Sequence, residues 1–575
     1  MESKQKVIGI LRENKSKWER RCALTPKEVL VLTSHEGIKV LVQPSPSRCY
    51  TDEEFEEAGA IIQEDFTSCD VIFGVKEVPI ENLISNKTYF FFSHVIKAQE
   101  YNMGLLDAMI AKGLRMIDYE CIREGSQKTE GEVANRLVAF GRYAGIAGAF
   151  DFFRGIGEYM LQKKLNSPFI FIGSTYMYED YDAMKAALAG VAKSIAKSGT
   201  PKKFSPMVFA VTGTGRVAQG IMEVLEQLPH IKVEPDQLKN LAEIMGSDNK
   251  RIVISQFSGK HIVRHKEGLA YDRLHYYANP NQYVSKFAED YLEHIHFLIN
   301  GVYWEAKYPR LISINELRDA VIAGKSKLMG VCDISADYMG SIEFTTRFTS
   351  IEDPFLLYDP ITEEFHEKID KATDNTILFH SVDHLPAEMP KEASNHFGEQ
   401  LISFVKAVAD SDPSLPFDQQ QKDLPQEIYN AVVCCHGELT PRYRYITDFR
   451  TIREKAKLHQ QEYMQHVHEA ERKTSSLRRG MRFATLVFTG HLFDTKFFNT
   501  AIDILEENKI DFRVIDWKVG LKVDHSSEIA MQLMAPDPES MDKAKECIER
   551  EAKKRNVVVS EGAGPAFDAK IQEEA

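Results

Sequence analysis

The sequence predicts an α/β fold: two Rossmann-like parallel-sheet domains around a cleft, followed by a C-terminal ferredoxin-like α+β domain. Three observations predict it. From residue 1 to about 140, short apolar runs alternate with helical stretches, the pattern of a parallel sheet with helical crossovers. A second alternation starts at Met207-Val208-Phe209-Ala210-Val211-Thr212 and carries a glycine loop directly after that strand. Residues 482–575 instead read as βαββαβ, the split βαβ plan.

The elements follow in order. Val7-Ile8-Gly9-Ile10-Leu11 is the first strand, and Thr25-Pro26-Lys27-Glu28 opens a helix with a capping box and proline at its first position. Further strands are expected at Lys39–Val42, Val71–Phe73, Tyr89–Phe92 and Leu114–Ile117. Gly141-Arg142-Tyr143-Ala144-Gly145-Ile146-Ala147-Gly148-Ala149 is rich in small residues, which permit the close helix packing of an interdomain crossover. Strands of the second unit are expected at 251–254, 296–299, 328–331 and 376–379, and 388–408 reads as a long helix. Residues 411–425 read as a surface loop and 446–480 as a charged, solvated helix. The implied division is 1–140 with 388–445 as one discontinuous domain, 141–387 as the second, 446–481 as a helical linker and 482–575 as the C-terminal domain.

Composition narrows the classes. Charged residues are 27% and hydrophobic ones 43%, ordinary for a globular chain. A net charge of -14 argues against a nucleic-acid surface, and no run reaches the roughly 18 apolar residues of a membrane span. The polar start, Met1 to Lys6, runs straight into a strand, so no targeting peptide is expected. The eight cysteines are scattered without a CxxC pair, which suggests neither a disulfide framework nor a zinc site. A reducing cytoplasm and no metal are the expectation.

Chemistry concentrates at strand ends. Phe73-Gly74-Val75-Lys76-Glu77 and Phe92-Ser93-His94 each end an apolar run on ionisable residues, where a parallel sheet opens its ligand crevice. An imidazole and a desolvated amine both titrate near neutral pH, so Lys76 and His94 can form an acid/base pair. The competing reading is two solvated loop residues. Arg21 stands just before a helix N-terminus, where a guanidinium can hold a carboxylate or form an ordinary surface ion pair. Glu120, after the strand ending at Asp118, can reach the same crevice to hold a substrate ammonium or tune Lys76.

Gly213-Thr214-Gly215-Arg216-Val217-Ala218, between a strand and a helix, is the GxGxxA dinucleotide fingerprint in its required context. Glu234, twenty-one residues after Gly213, is spaced to accept a ribose 2′-hydroxyl and so favours NAD, while Arg216 suits a 2′-phosphate. Asp333 and the segment Val382-Asp383-His384-Leu385 each follow a strand of this second unit and can close the cofactor pocket.

Together these residues resemble lysine-ketoglutarate reductase. The resemblance rests on Glu-Arg-Arg-x-Ala-Leu-Thr-Pro (19–26), Gly-Val-Lys-Glu (74–77), Phe-Phe-Ser-His-x-Ile-Lys-Ala-Gln (91–99), Asp-Tyr-Glu (118–120) and Val-Ala-Phe-Gly (138–141). It continues through Gly-Thr-Gly (213–215), Cys-Asp-Ile-Ser-Ala-Asp (332–337), Gly-Ser-Ile-Glu-Phe (340–344) and Asp-His-Leu-Pro (383–386), covering about residues 5–450. This is the N-terminal half of the bifunctional aminoadipic semialdehyde synthases. It is similar to fungal lysine-forming saccharopine dehydrogenase and, more widely, to alanine dehydrogenase and transhydrogenase. The C-terminal domain resembles the region between reductase and dehydrogenase in the plant bifunctional enzyme. With the second dehydrogenase absent, a monofunctional enzyme is expected.

The resemblance implies reversible formation of saccharopine from L-lysine and 2-oxoglutarate in lysine degradation. It implies Lys76 and His94 as acid and base, and Arg21, Gln99, Arg136 and Phe140 as substrate contacts. Glu77 and Glu120 become tuning carboxylates; Gly213 to Val217, Glu234 and 382–385 become cofactor contacts. It implies NADP, against the NAD that Glu234 alone suggests. The βαββαβ order resembles small regulatory domains that pair edge to edge and bind amino acids, so the C-terminal domain is expected to drive homo-oligomer formation or to sense an amino acid such as lysine; the alternative is a structural appendage. The alternatives are an alanine-dehydrogenase-like enzyme and a catalytically inactive lysine-binding regulator.

Overall fold

Strands that are apolar at every position bury both faces, and the N-terminal unit is built on two such sheets. Val7–Ile10, Val71–Phe73, Thr88–Phe91 and Val208–Thr212 are buried throughout. The computed structural model describes residues 5–125, 134–246, 248–367, 371–451, 482–492, 495–518 and 527–561. The chain divides into two units, Met1–Arg444 and Tyr445–Ala575.

The first sheet of the N-terminal unit runs, edge to edge, Glu438–Leu439, Val432–Cys435, Arg115–Asp118, Thr88–Phe91, Val71–Phe73, Val7–Ile10, Lys39–Val42 and Ile61–Ile62. Its six strands from the N-terminal stretch are parallel, so their carboxyl ends all open on one side. The second sheet runs Glu364–His366, Leu356–Asp359, Ile377–His380, Gly330–Asp333, Phe297–Asn300, Val208–Thr212, Ile252–Phe257 and His230–Lys232.

The sheets are α/β as expected, but neither is purely parallel. Val432–Cys435 pairs antiparallel with Arg115–Asp118, and Leu356–Asp359 antiparallel with Ile377–His380. Each is the first strand of a short hairpin. In one of them His436 and Gly437 both take positive φ (53° and 79°), as a two-residue turn matched to strand twist requires.

The helix Gly141–Gln162 follows the first sheet's main stretch and packs against the second. Its glycines explain its composition. A Cβ on Gly145 would sit 2.1 Å from the Val217 carbonyl oxygen, and one on Gly220 would sit 2.0 Å from that of Arg142. Two helices thus touch backbone to backbone, the second being Arg216–Leu225, which starts at the glycine loop. Gly148 instead makes room for side chains, those of Ile334 and Leu385.

The C-terminal unit has the sheet order Asp511–Lys518, Ser527–Ala535, Arg482–Gly490, Val558–Glu561, every neighbour antiparallel. That is the arrangement of a split βαβ plan. Burial alternates residue by residue along Ser527–Ala535, so one sheet face supplies Ile529, Met531 and Leu533 to a core with Phe497, Leu505 and Ile548 of the two helices. Most of the linker helix expected over 446–480 lies outside the described residues. Among the described residues no helix is long and apolar enough to cross a membrane.

Candidate active site

Two turns at the carboxyl ends of adjacent strands carry Lys76 and His94. Lys76 follows Val71–Phe73, and its backbone N–H, with that of Val75, donates to the carboxylate of Glu13 at 2.9 and 2.6 Å. His94 follows Thr88–Phe91 in a left-handed conformation (φ 55°), uncommon for a non-glycine residue and found where the surroundings enforce it. Here the enforcement is visible: Ser93 donates through both backbone and hydroxyl to Asp118. The same carboxylate accepts the N–H of Glu120 at 2.8 Å. Asp118 therefore ties the His94 turn to the Glu120 turn.

The ionisable groups set one another's charge. His94 lies between two carboxylates, Nε2 3.9 Å from Glu77 and Nδ1 3.7 Å from Glu120. Burial alone would raise the Glu120 carboxyl, but the nearby His94 imidazole and the Arg136 guanidinium hold it down to about 2. Asp118 goes the other way: burial and the charge of Glu120 push it up to about 6. Burial, and then the nearby Arg21 guanidinium, lower the Lys76 amine from its ordinary value. Glu13, pressed by burial and by Glu19, is raised to about 7. Lys15 closes the outer side with an ion pair to Glu77 at 2.6 Å.

Arg21 is 4% exposed and held by Glu19, which accepts from Nε at 2.7 Å and Nη2 at 2.5 Å. Its guanidinium lies 4.3 Å over the Phe140 ring, and Phe140 stacks on Phe397 at 4.4 Å. Gln99, half-buried, precedes the helix Glu100–Ala111. The structure thus brings Arg21, Lys76, Glu77, His94, Glu120, Arg136 and Phe140 into one neighbourhood.

On the second sheet, Gly213 takes φ +94°, and a Cβ there would lie 3.0 Å from the Gly301 carbonyl oxygen. Thr214 and Gly215 are exposed at the start of the helix Arg216–Leu225, and Val217 is half-buried. Backbone without side chains beside free helix N–H groups fits a pyrophosphate. Arg216 Nη1 donates to the Leu137 carbonyl at 3.4 Å, joining this loop to the substrate side. Asp383 contributes to the field at Lys76 and bonds His384, while Val382 and Leu385 are buried beside it.

Two expectations are corrected. Asp333 is fully buried and already accepts from Asn300, Ser335 and Thr345 at 2.8, 2.6 and 2.7 Å; its carboxylate organises a strand end. Glu234 is exposed, and its strand is not the neighbour of the glycine-loop strand. Ile252–Phe257 lies between them, so the strand end beside the glycine loop carries Gln256 and Ser258 instead. The spacing rule presumes that the next strand in sequence is also next in space.

Three residues of this neighbourhood had no role assigned from sequence: Glu13, Glu19 and Asp118. Glu13 was findable, since it lies just past the carboxyl end of Val7–Ile10, the same signal that singles out Lys76. Among the described residues no group of histidine, cysteine and acidic side chains is arranged to hold a metal.

Comparison with known proteins agrees with this layout. Residues 9–147 match the family described as alanine dehydrogenase/PNT, N-terminal domain, and residues 484–564 the LOR/SDH bifunctional enzyme conserved region. The alpha-aminoadipic semialdehyde synthase of Arabidopsis thaliana is 35% identical over 95% of this chain and 50% of its own length. The chain is a homologue of the alpha-aminoadipic semialdehyde synthases. The mitochondrial synthase of Rattus norvegicus is 37% identical over 78% of this chain and 48% of its own. The saccharopine dehydrogenase [NAD(+), L-lysine-forming] of Neurospora crassa is 24% identical over 68% of this chain and 88% of its own. The chain spans about half the length of the synthases it matches. Among solved structures, an L-alanine dehydrogenase aligns with 77% of this chain and 99% of its own at 15% identity and a TM-score of 0.48.

Proposed function

We propose that this protein is a nicotinamide-dependent oxidoreductase that forms saccharopine from L-lysine and 2-oxoglutarate, reversibly, with Lys76 and His94 as its proton-transfer pair. The observation that carries the reading is their placement at the ends of adjacent strands, amid mutually coupled charges, in a unit that also holds a glycine loop. The homology to aminoadipic semialdehyde synthases and lysine-forming saccharopine dehydrogenases supplies the substrate class.

The residues divide the work as follows. Arg21, braced by Glu19, and Arg136 hold substrate carboxylates. Lys76, disposed to the neutral form by burial and by Arg21, takes the proton that the lysine ε-ammonium must lose before it attacks the keto carbon. His94, between Glu77 and Glu120, donates the proton with which the carbinolamine hydroxyl leaves as water. Gln99 and Phe140 shape the substrate side. Gly213, Thr214, Gly215, Arg216 and Val217 hold the cofactor pyrophosphate, and Val382, Asp383, His384 and Leu385 close over it. When bound, the cofactor supplies the hydride that reduces the imine.

We assign NADP(H) over NAD(H). The strand beside the glycine loop ends Gln256-Phe257-Ser258-Gly259-Lys260, without the carboxylate that would repel a 2′-phosphate. The eight cysteines are free thiols, which suits a reducing compartment, the cytoplasm. We assign the C-terminal unit to self-association, since none of the residues named above belongs to it.

The test is oxidation of NADPH and NADH, separately, with lysine and 2-oxoglutarate. Saccharopine formation with NADPH preferred is expected. Turnover with ammonia and pyruvate but not lysine would replace the reading by an alanine-dehydrogenase-like one; preference for NADH would reverse the cofactor assignment. A chain ending at Arg444 keeps the activity but sediments as a smaller species. Loss of activity in that chain, with its fold intact, would remove the assignment to self-association.

A further inference from the structure

Among the described residues three arginines are buried, Arg21, Arg48 and Arg115. Two of them face a carboxylate: Arg21 that of Glu19, Arg48 that of Asp52. Arg115, 3% exposed, faces none, and its hydrogen bonds all go to neutral oxygens. Nε donates to the Thr88 hydroxyl at 3.0 Å, Nη1 to the Gln420 side-chain carbonyl at 3.2 Å and Nη2 to the Val408 carbonyl at 3.4 Å. Gln420 is itself fixed, its amide donating to the Leu415 carbonyl at 2.7 Å. Each Nη keeps a further N–H. Burial lowers the guanidinium to about 10, so it is still charged at neutral pH. A buried charge is costly without a partner of opposite sign.

The second observation is the space beside it. Arg115 opens its strand at the amino-terminal edge of the first sheet, the edge opposite Lys76 and His94. Lys87, Asp70 and Lys6 stand just before the next three strands in the sheet. All four line one cavity of about 90 Å³, together with Val408 and Ser411 at the end of the helix Pro390–Asp410. One water needs roughly 10–15 Å³ of such space, so a small polyatomic ion fits. Neither lysine forms an ion pair among the described residues. Asp70 accepts the Val7 N–H at 2.9 Å. Asp412, next to Ser411, accepts from the Ser414 N–H and hydroxyl at 2.8 and 2.7 Å. The cavity thus sets three cations against one carboxylate, an excess that a dianion balances.

We propose that this cavity binds a small tetrahedral dianion, inorganic phosphate, with Arg115 as its anchor and Lys6 and Lys87 at its rim. A guanidinium fork matches two oxygens of such an ion, and the lysines add point charges. The ion would tie three strand starts to the end of the helix Pro390–Asp410, and so stabilise the N-terminal unit without entering the catalytic crevice. The site does not depend on the catalytic reading above.

The experiment titrates inorganic phosphate into the full-length chain by calorimetry, in chloride of matched ionic strength. Binding is expected to survive Arg21→Gln and Gly213→Ala, which alter the substrate and cofactor sides, and to vanish in Arg115→Met. Lys87→Gln weakens it roughly tenfold, the weight of one charged contact, and adding Lys6→Gln weakens it further. Sulfate, of the same shape and charge, binds comparably; acetate, a monoanion, binds roughly tenfold more weakly. Phosphate also raises the Tm of the unaltered chain, and the rise is lost in the double lysine variant. That variant decides the matter if Arg115→Met does not fold. No binding, binding abolished by Arg21→Gln or Gly213→Ala, or binding unchanged in the double lysine variant would each overturn the site. Arg115 would then be only a cap on the last carbonyls of a helix. Acetate binding as tightly as phosphate would overturn the choice of a dianion.

Discussion

The two sides of the site are made of different materials. On the first sheet, Glu13, Glu19, Arg21, Lys76, Asp118 and Glu120 crowd together, largely buried, each shifted by or shifting its neighbours. On the second, Gly213 and Gly215 offer bare backbone on either side of the exposed Thr214, and the limits are steric. The contrast matches the tasks proposed for the two sides. Moving protons requires groups whose charge states are set by one another, so that side is coupled and shielded from water. Holding a phosphate requires N–H groups and room, so that side is open.

The largest effect tests this division directly. Lys76→Met and His94→Gln each lower turnover by about 10²-fold or more, the contribution of a positioned acid or base, and leave cofactor affinity unchanged in a fluorescence titration. Loss of cofactor affinity instead would break the contrast. The complementary substitution is Gly213→Ala. A Cβ at φ +94° and 3.0 Å from Gly301 strains the loop, and a strain of about 1–3 kcal/mol raises the cofactor Kd roughly tenfold. At saturating cofactor, turnover stays near that of the unaltered protein.

A smaller effect sharpens the picture on the coupled side. Glu13→Gln keeps the size of the side chain but replaces one of the two oxygens that accept from Val75 and Lys76 with an amide donor. Turnover falls roughly tenfold through misplacement of Lys76. The pH profile of kcat also changes shape near 7, where the Glu13 carboxyl titrates; a merely structural role would leave the profile as it was.

The smallest effect is on stability. Glu120 is held down to about 2 in the folded chain. Its ionised form therefore adds stability above the ordinary glutamate range, and that stability is lost as pH falls toward 2. Glu120→Gln lowers Tm by a few degrees at pH 7 (about 1 kcal/mol,), and thermal melts should show the difference shrinking below pH 4. A constant difference across pH would mean that packing, not charge, is lost.

Much of this was legible in the sequence, for identifiable reasons. Buried parallel strands are continuous apolar runs, so Val71–Phe73 and Val208–Thr212 stood out, and the residues after them followed. The hairpin at 432–439 was not legible: it is short, and its partner strand lies more than three hundred residues earlier. Asp333 and Glu120 look alike in sequence, each an acid at a strand end. Only the fold shows that three donors already surround Asp333 while Glu120 faces His94. Glu234 was misjudged because a spacing along the chain stood in for adjacency in the sheet.

The glycine seam between Gly145 and Gly220 has a practical consequence. Where backbone meets backbone with no side chain between, nothing can be trimmed or padded to alter the fit. An engineer seeking to change the proposed substrate has no adjustable spacer at this joint. The first sheet offers more latitude, because Phe140 packs there through its side chain, against Arg21 and Phe397.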